Sequence, residues 1–123
     1  RLMEAAREAR SAAVAAAKIG NTTGDIGHAV EQVVRRYGYT SPSELGGHGV
    51  GLKVHEEPFI PNYGRPGRGE KLVEGMVLAI EPIIMAGKPE IQLEADGYTY
   101  SSYDGSNSAQ FEHTVLITKR GAE

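Results

Sequence analysis

The chain has 123 residues with 13 basic and 16 acidic side chains, for a net charge of −3. That is one domain's length, without the Lys and Arg excess that a nucleic-acid or membrane-surface protein concentrates. Cysteine is absent, which excludes disulfide scaffolds, Cys-zinc sites and thiol nucleophiles; no apolar run reaches the ~20 residues of a membrane span and no signal-peptide pattern opens the chain, so a soluble, cytoplasmic protein is expected.

The chain starts at Arg1 rather than at a methionine. Leu, Ile, Val and Phe together make up about 21% of it, only just above the ~20% below which disorder sets in. An incomplete chain with a thin core that leans on a neighbouring piece is expected. The 16 glycines point to many tight turns and close backbone approaches.

Leu2 to Ile19 is alanine-rich and free of glycine and proline, which predicts a helix over 2–19. A second helix is predicted over 24–37: Thr23 is placed as its N-cap and Asp25 in its first turn. Ile26, Ala29, Val30, Val33, Val34 and Tyr37 recur at helical spacing, and Gly38 ends it. Ser41-Pro42-Ser43 reads as a turn, and the strand-rich part runs over 46–118. Gly64-Arg65-Pro66-Gly67-Arg68-Gly69 is an exposed loop and not a phosphate cradle, because Glu70 stands where a P-loop has lysine. Met76 to Met85 is a dense apolar run. Ile91–Leu93 and Tyr98–Tyr103 read as strands around Asp96-Gly97, and Phe111 to Thr118 as a last strand. Two helices followed by antiparallel strands make an α+β fold.

Three residues stand out against this background. Glu81 interrupts Met76–Met85. Either it sits on an edge strand facing water, which Pro82 favours, or it is a carboxylate held by a partner or a cation. Glu112 breaks Phe111–Ile117 in the same way, with a solvated strand face as its simpler reading. His48 lies between Gly46-Gly47 and Gly49-Val50-Gly51, where glycines allow backbone or ligand to come close. One imidazole with two carboxylates suits divalent Zn, Mn, Fe or Co, and bridging carboxylates favour two-metal sites. His55 opens Val54-His55-Glu56-Glu57-Pro58, which is not a zinc-binding H-E-x-x-H helix. It can hydrogen-bond a substrate carbonyl, or be held in a surface turn by its glutamates. His28 and His113 receive no catalytic role, and no G-x-S-x-G elbow is present.

Gly47-His48-Gly49-Val50-Gly51, Val54-His55-Glu56-Glu57-Pro58, Gly75-Met76-Val77-Leu78-Ala79-Ile80-Glu81-Pro82 and Ser108-Ala109-Gln110-Phe111-Glu112-His113-Thr114 together resemble the successive motifs of the type I methionine aminopeptidases. Order and spacing agree over essentially the whole chain, and the helix start Gly24-Asp25-Ile26-Gly27 fits as well. The resemblance implies the C-terminal half of a pita-bread fold, peptidase family M24, with the N-terminal half absent. It implies removal of the N-terminal methionine from nascent proteins by two divalent metal ions. His48 and Glu81 are then terminal metal ligands and Glu112 bridges both ions. His55 then contacts the scissile carbonyl or the intermediate, and Gln110 supports the ligands; a general base must also accept the water's proton, and Glu81 is expected to be it. Tyr98 stands where relatives often have a tryptophan lining the methionine pocket.

The family uses five protein ligands, and two aspartates come from the first half of its fold. No segment here resembles the strands that carry them, so 1–123 is expected to supply three ligands of five and to be inactive alone. The implied partners are that missing half and a peptide with an N-terminal methionine; neither nucleic acid nor a membrane is expected. The rival readings are a proline-specific peptidase of the same fold and a non-catalytic pita-bread module that binds peptides or proteins.

Overall fold

The computed structural model describes all 123 residues. Helix α1 spans Leu2–Ala16 and buries Ala5, Ala6, Ala9 and Ala13 along one face. That stripe has no side chain larger than a methyl, so α1 can lie close to α2 and to the strands beneath it. It stops short of the predicted end at Ile19: Ala17 leaves the helical region, and the Asn21 side-chain amide donates to the Ala16 carbonyl at 2.9 Å.

Helix α2 spans Thr23–Arg36, and its N-cap is Thr22, one residue before the predicted Thr23. Thr22 is extended; its hydroxyl accepts from the Asp25 N–H at 3.2 Å while the Asp25 carboxylate accepts from the Thr22 N–H at 2.8 Å. This reciprocal capping box satisfies two otherwise orphaned donors. The Thr22 N–H, and then the Gly67 N–H, hold the Asp25 carboxyl below the usual carboxylate range. The Thr23 hydroxyl is engaged elsewhere, accepting from the Glu70 N–H at 3.1 Å. Ile26, Val30, Val33 and Val34 form the buried face of α2, and Gly38, at φ +76°, turns the chain out of it.

The strands are β1 (Gly47–Gly49), β2 (Glu56–Ile60), β3 (Val77–Ile80), β4 (Ile83–Met85), β5 (Ile91–Leu93), β6 (Tyr100–Ser102), β7 (Ser108–Gln110), β8 (His113–Thr118) and β9 (Gly121–Ala122). Five of them form a sheet in the order β2-β1-β3-β8-β9, and β4-β7 and β5-β6 make separate pairs. Every pairing is antiparallel. Leu78, Ile80, Ile84, Val115 and Ile117 meet the alanines of α1 and the apolar face of α2 in one core.

One predicted apolar run is divided and the predicted last strand is shortened, and both irregularities fall at acidic residues. The apolar run Met76–Met85 forms β3 and β4 with Glu81-Pro82 between them. The last strand begins at His113, not at Phe111, so Phe111 and Glu112 lie between β7 and β8. Proline has no N–H for the ladder and explains the first break. The Glu81 side chain is only 14% exposed, so the reading in which it faces water from an edge strand falls away.

Candidate metal centre

His48 sits at the middle of β1, opposite Phe59 on one side and Ala79 on the other. The glycines around it serve backbone approach. A Cβ on Gly47 would stand 2.2 Å from the Ala79 carbonyl oxygen, and one on Gly49 would stand 2.2 Å from that of Glu57. The His48 Nδ1 faces the Gly49 carbonyl at 3.0 Å. A carbonyl only accepts, so Nδ1 carries the proton, and Nε2 is left to point at the Glu81 Oε1, 2.9 Å away.

Glu81 reaches this point from the β3–β4 break. Its Oε2 accepts from the Gln110 side-chain amide at 2.8 Å. Burial, then the neighbouring Glu112 charge, pushes the Glu81 carboxyl up from its ordinary value. Glu112 arrives from the β7–β8 break and is exposed. One ligand atom from each of His48, Glu81 and Glu112 lies within 4.8 Å of the other two.

These three groups fit a divalent cation. A histidine that donates its far N–H to a backbone carbonyl presents the other nitrogen in the tautomer that ligates metals. Two carboxylates held near each other, one of them largely buried, repel unless a proton or a cation lies between them. One nitrogen and several oxygens suit Zn, Mn, Fe or Co.

The rest of the predicted set is distributed unevenly. His55 lies in the loop before β2, and its ring centroid is 4.1 Å from that of His48. His48, His55, Glu81 and Gln110 line one cavity of about 600 Å³, together with Leu45, Phe59 and Ile83 as its apolar walls. Glu112 is not among the cavity's lining residues. Tyr98 is also outside it: it stands in the turn between β5 and β6 and is 79% exposed. His28 packs its Nδ1 on the Gly64 carbonyl at 3.3 Å, and His113 is an exposed residue of β8.

Sequence reading missed the apolar walls and one polar residue, Asn62. Asn62 is 3% exposed, and its side-chain amide donates to the Glu81 carbonyl at 3.2 Å. The available signal was a lone amide directly after the apolar Pro58-Phe59-Ile60-Pro61.

The chain is 42% identical over its whole length to a methionine aminopeptidase of Clostridium acetobutylicum, covering 49% of that protein. The crystal structure of methionine aminopeptidase from Rickettsia prowazekii superposes with a TM-score of 0.97 at 40% identity, over 100% of this chain and 50% of that one. A prolidase from Pyrococcus furiosus superposes less closely, at 0.70 and 34% identity, covering 99% of this chain and 30% of that one. The chain thus spans about half the length of the curated relatives it matches, and its α+β fold is that of the pita-bread enzymes. No helix is long and apolar enough to cross a membrane. Residues 1–119 match metallopeptidase family M24, and the chain belongs to that family.

Proposed function

We propose that the protein of which these residues form the C-terminal half removes the N-terminal methionine from newly made polypeptides in the cytoplasm, by metal-dependent hydrolysis. The observation that carries the reading is the convergence of His48, Glu81 and Glu112 from three separate segments to within 4.8 Å. The 42% identity to a methionine aminopeptidase supports the choice of substrate, and the much closer superposition on a methionine aminopeptidase than on a prolidase favours it over a proline-specific peptidase.

On this reading His48 and Glu81 would be terminal ligands and Glu112 would be shared between two divalent ions drawn from Co, Mn, Fe or Zn, with two further ligands from the other half of the fold. Such a pair, when bound, activates a water and polarises an amide carbonyl. Glu81 would accept the proton of that water as general base. His55 hydrogen-bonds the oxygen on which negative charge develops, a contact worth ~3–4 kcal/mol where comparable donors have been removed. Gln110 keeps the Glu81 carboxylate from rotating. Leu45, Phe59 and Ile83 shield the reacting bond from water, and Tyr98 contributes an aromatic wall for the methionine side chain. Beside His55, Leu52 and Val54 stand exposed, as surface that the other half would cover.

Replacing Glu112 with alanine in the complete protein abolishes metal-dependent release of methionine from a Met-Ala peptide; full activity in that variant would refute the bridging role. The same assay with an X-Pro peptide separates the reading from proline-specific cleavage. A complete protein that holds no metal would favour a peptide-binding module. The 123 residues alone release no methionine, and calorimetric titration with Mn or Co finds at most one weak site, because three ligands leave coordination positions open.

A further inference from the structure

Only three polar residues are buried in the chain: Thr22, Thr23 and Asn62. The two threonines cap α2 and fasten the Glu70 N–H. Asn62 has a different partner, the carbonyl of Glu81.

That carbonyl lies at a gap in the ladder. The β3–β8 pairing ends at Ile80 and the β4–β7 pairing resumes at Ile83; Pro82 between them has no N–H to pair, and the gap is spanned by a long backbone bond from the Phe111 N–H to the Pro82 carbonyl at 3.4 Å. The Glu81 carbonyl itself is held by a side chain. Asn62 supplies the bond on the carbonyl, while the Gln110 side-chain amide donates to the carboxylate. Asn62 is itself anchored on both sides. Ile60, 1% exposed, pairs with Gly47 in the sheet. The segment after it is strapped to α2: the Gly64 N–H donates to the Glu31 carboxylate at 3.1 Å, and the Gly67 N–H to that of Asp25 at 3.1 Å. The strap fits so closely that a Cβ on Gly27 would lie 2.1 Å from the Tyr63 carbonyl oxygen.

We propose that Asn62 is a positioning residue for the metal centre: it transmits the rigidity of the α2-docked segment 61–70 to the Glu81 backbone, and so fixes where the Glu81 carboxylate meets His48 and Glu112. This rests on the proposed function above. Groups that orient a metal ligand without touching the metal change affinity by about 10–100-fold when removed, and small displacements of a reacting group cost about 100-fold in rate.

The test is made on the complete protein with Mn²⁺ as the probe. Asn62→Leu keeps the volume of the side chain and removes the donor. Its Mn²⁺ dissociation constant by calorimetry is expected to rise at least tenfold, with kcat on a Met-Ala peptide falling and KM close to the parent's. Val33→Ala, which opens the core on the buried face of α2, loses stability as well but leaves Mn²⁺ affinity within twofold of the parent's. Asn62→Leu binding Mn²⁺ as tightly as the parent would overturn the inference and leave Asn62 a structural residue. A second measurement needs no variant: in the parent, the Asn62 side-chain amide resonance is expected to shift when diamagnetic Zn²⁺ is added, and an unmoved resonance would also overturn the inference. A parent that binds neither ion would overturn the proposed function itself, and this inference with it.

Discussion

Gly27→Ala pits two effects of opposite sign against each other. Alanine in a helix interior is favoured over glycine by ~1 kcal/mol, so on helix propensity alone the substitution stabilises α2. The surroundings say otherwise. The new Cβ would stand 2.1 Å from the Tyr63 carbonyl oxygen, 2.7 Å from its carbon and 2.8 Å from the Pro61 carbonyl oxygen, where ordinary contacts begin at 3.4 Å. All three neighbours are backbone atoms, so no side chain can swing aside, and α2 and the segment 61–64 must separate by about 1 Å. Overpacking of this kind costs ~1–3 kcal/mol. The separation also stretches the Gly64–Glu31 bond, now 3.1 Å, and the His28–Gly64 contact, now 3.3 Å, each worth ~0.5–1.5 kcal/mol. The net expectation is a loss of about 2–3 kcal/mol, read as a lower urea midpoint of the complete protein with little change in slope. A Gly27→Ala protein as stable as the parent, or ~1 kcal/mol more stable, would refute the close packing of α2 on that segment.

Thr22→Ala removes the hydroxyl that accepts from the Asp25 N–H and is expected to lower stability by ~1 kcal/mol in thermal or urea unfolding; Thr22→Ser, which keeps the oxygen, should recover most of the loss. Asp104 is held at about 2 by the Ser106 hydroxyl, then by the backbone N–H groups of Lys88 and Ser106, against an ordinary 3.8. A depressed carboxyl stabilises the fold above its ordinary value, and its contribution is lost as pH falls towards 2. A carboxyl resonance titrating near pH 2 is expected; a midpoint at its ordinary value would contradict the turn geometry between Lys88 and Ser106.

How far sequence reading reached follows from the range of the interactions involved. The helices were legible because alanine content and the Ile26–Val34 spacing act within a few turns. The capping residue was misplaced by one although Thr22-x-x-Asp25 has the spacing of a capping box, which separates Thr22 from Thr23 locally. Glu81 and Glu112 were visible as charges inside apolar runs. That both fall at strand breaks was not, since Pro82 signalled an edge as readily as an interruption. The convergence of His48 with the two glutamates depends on β1 pairing with β3 and β3 with β8, and no local pattern encodes which strands become neighbours. Asn62 escaped because its chemistry is directed at a carbonyl, a group every residue has.

The central claim is that His48, Glu81 and Glu112 hold shared cations. Anomalous diffraction from crystals of the complete protein grown with Mn²⁺ tests it directly. Density is expected within coordination distance, about 2–2.3 Å, of the His48 Nε2 and of oxygens of both glutamates. Density bound elsewhere, with these three side chains free of it, would contradict the claim.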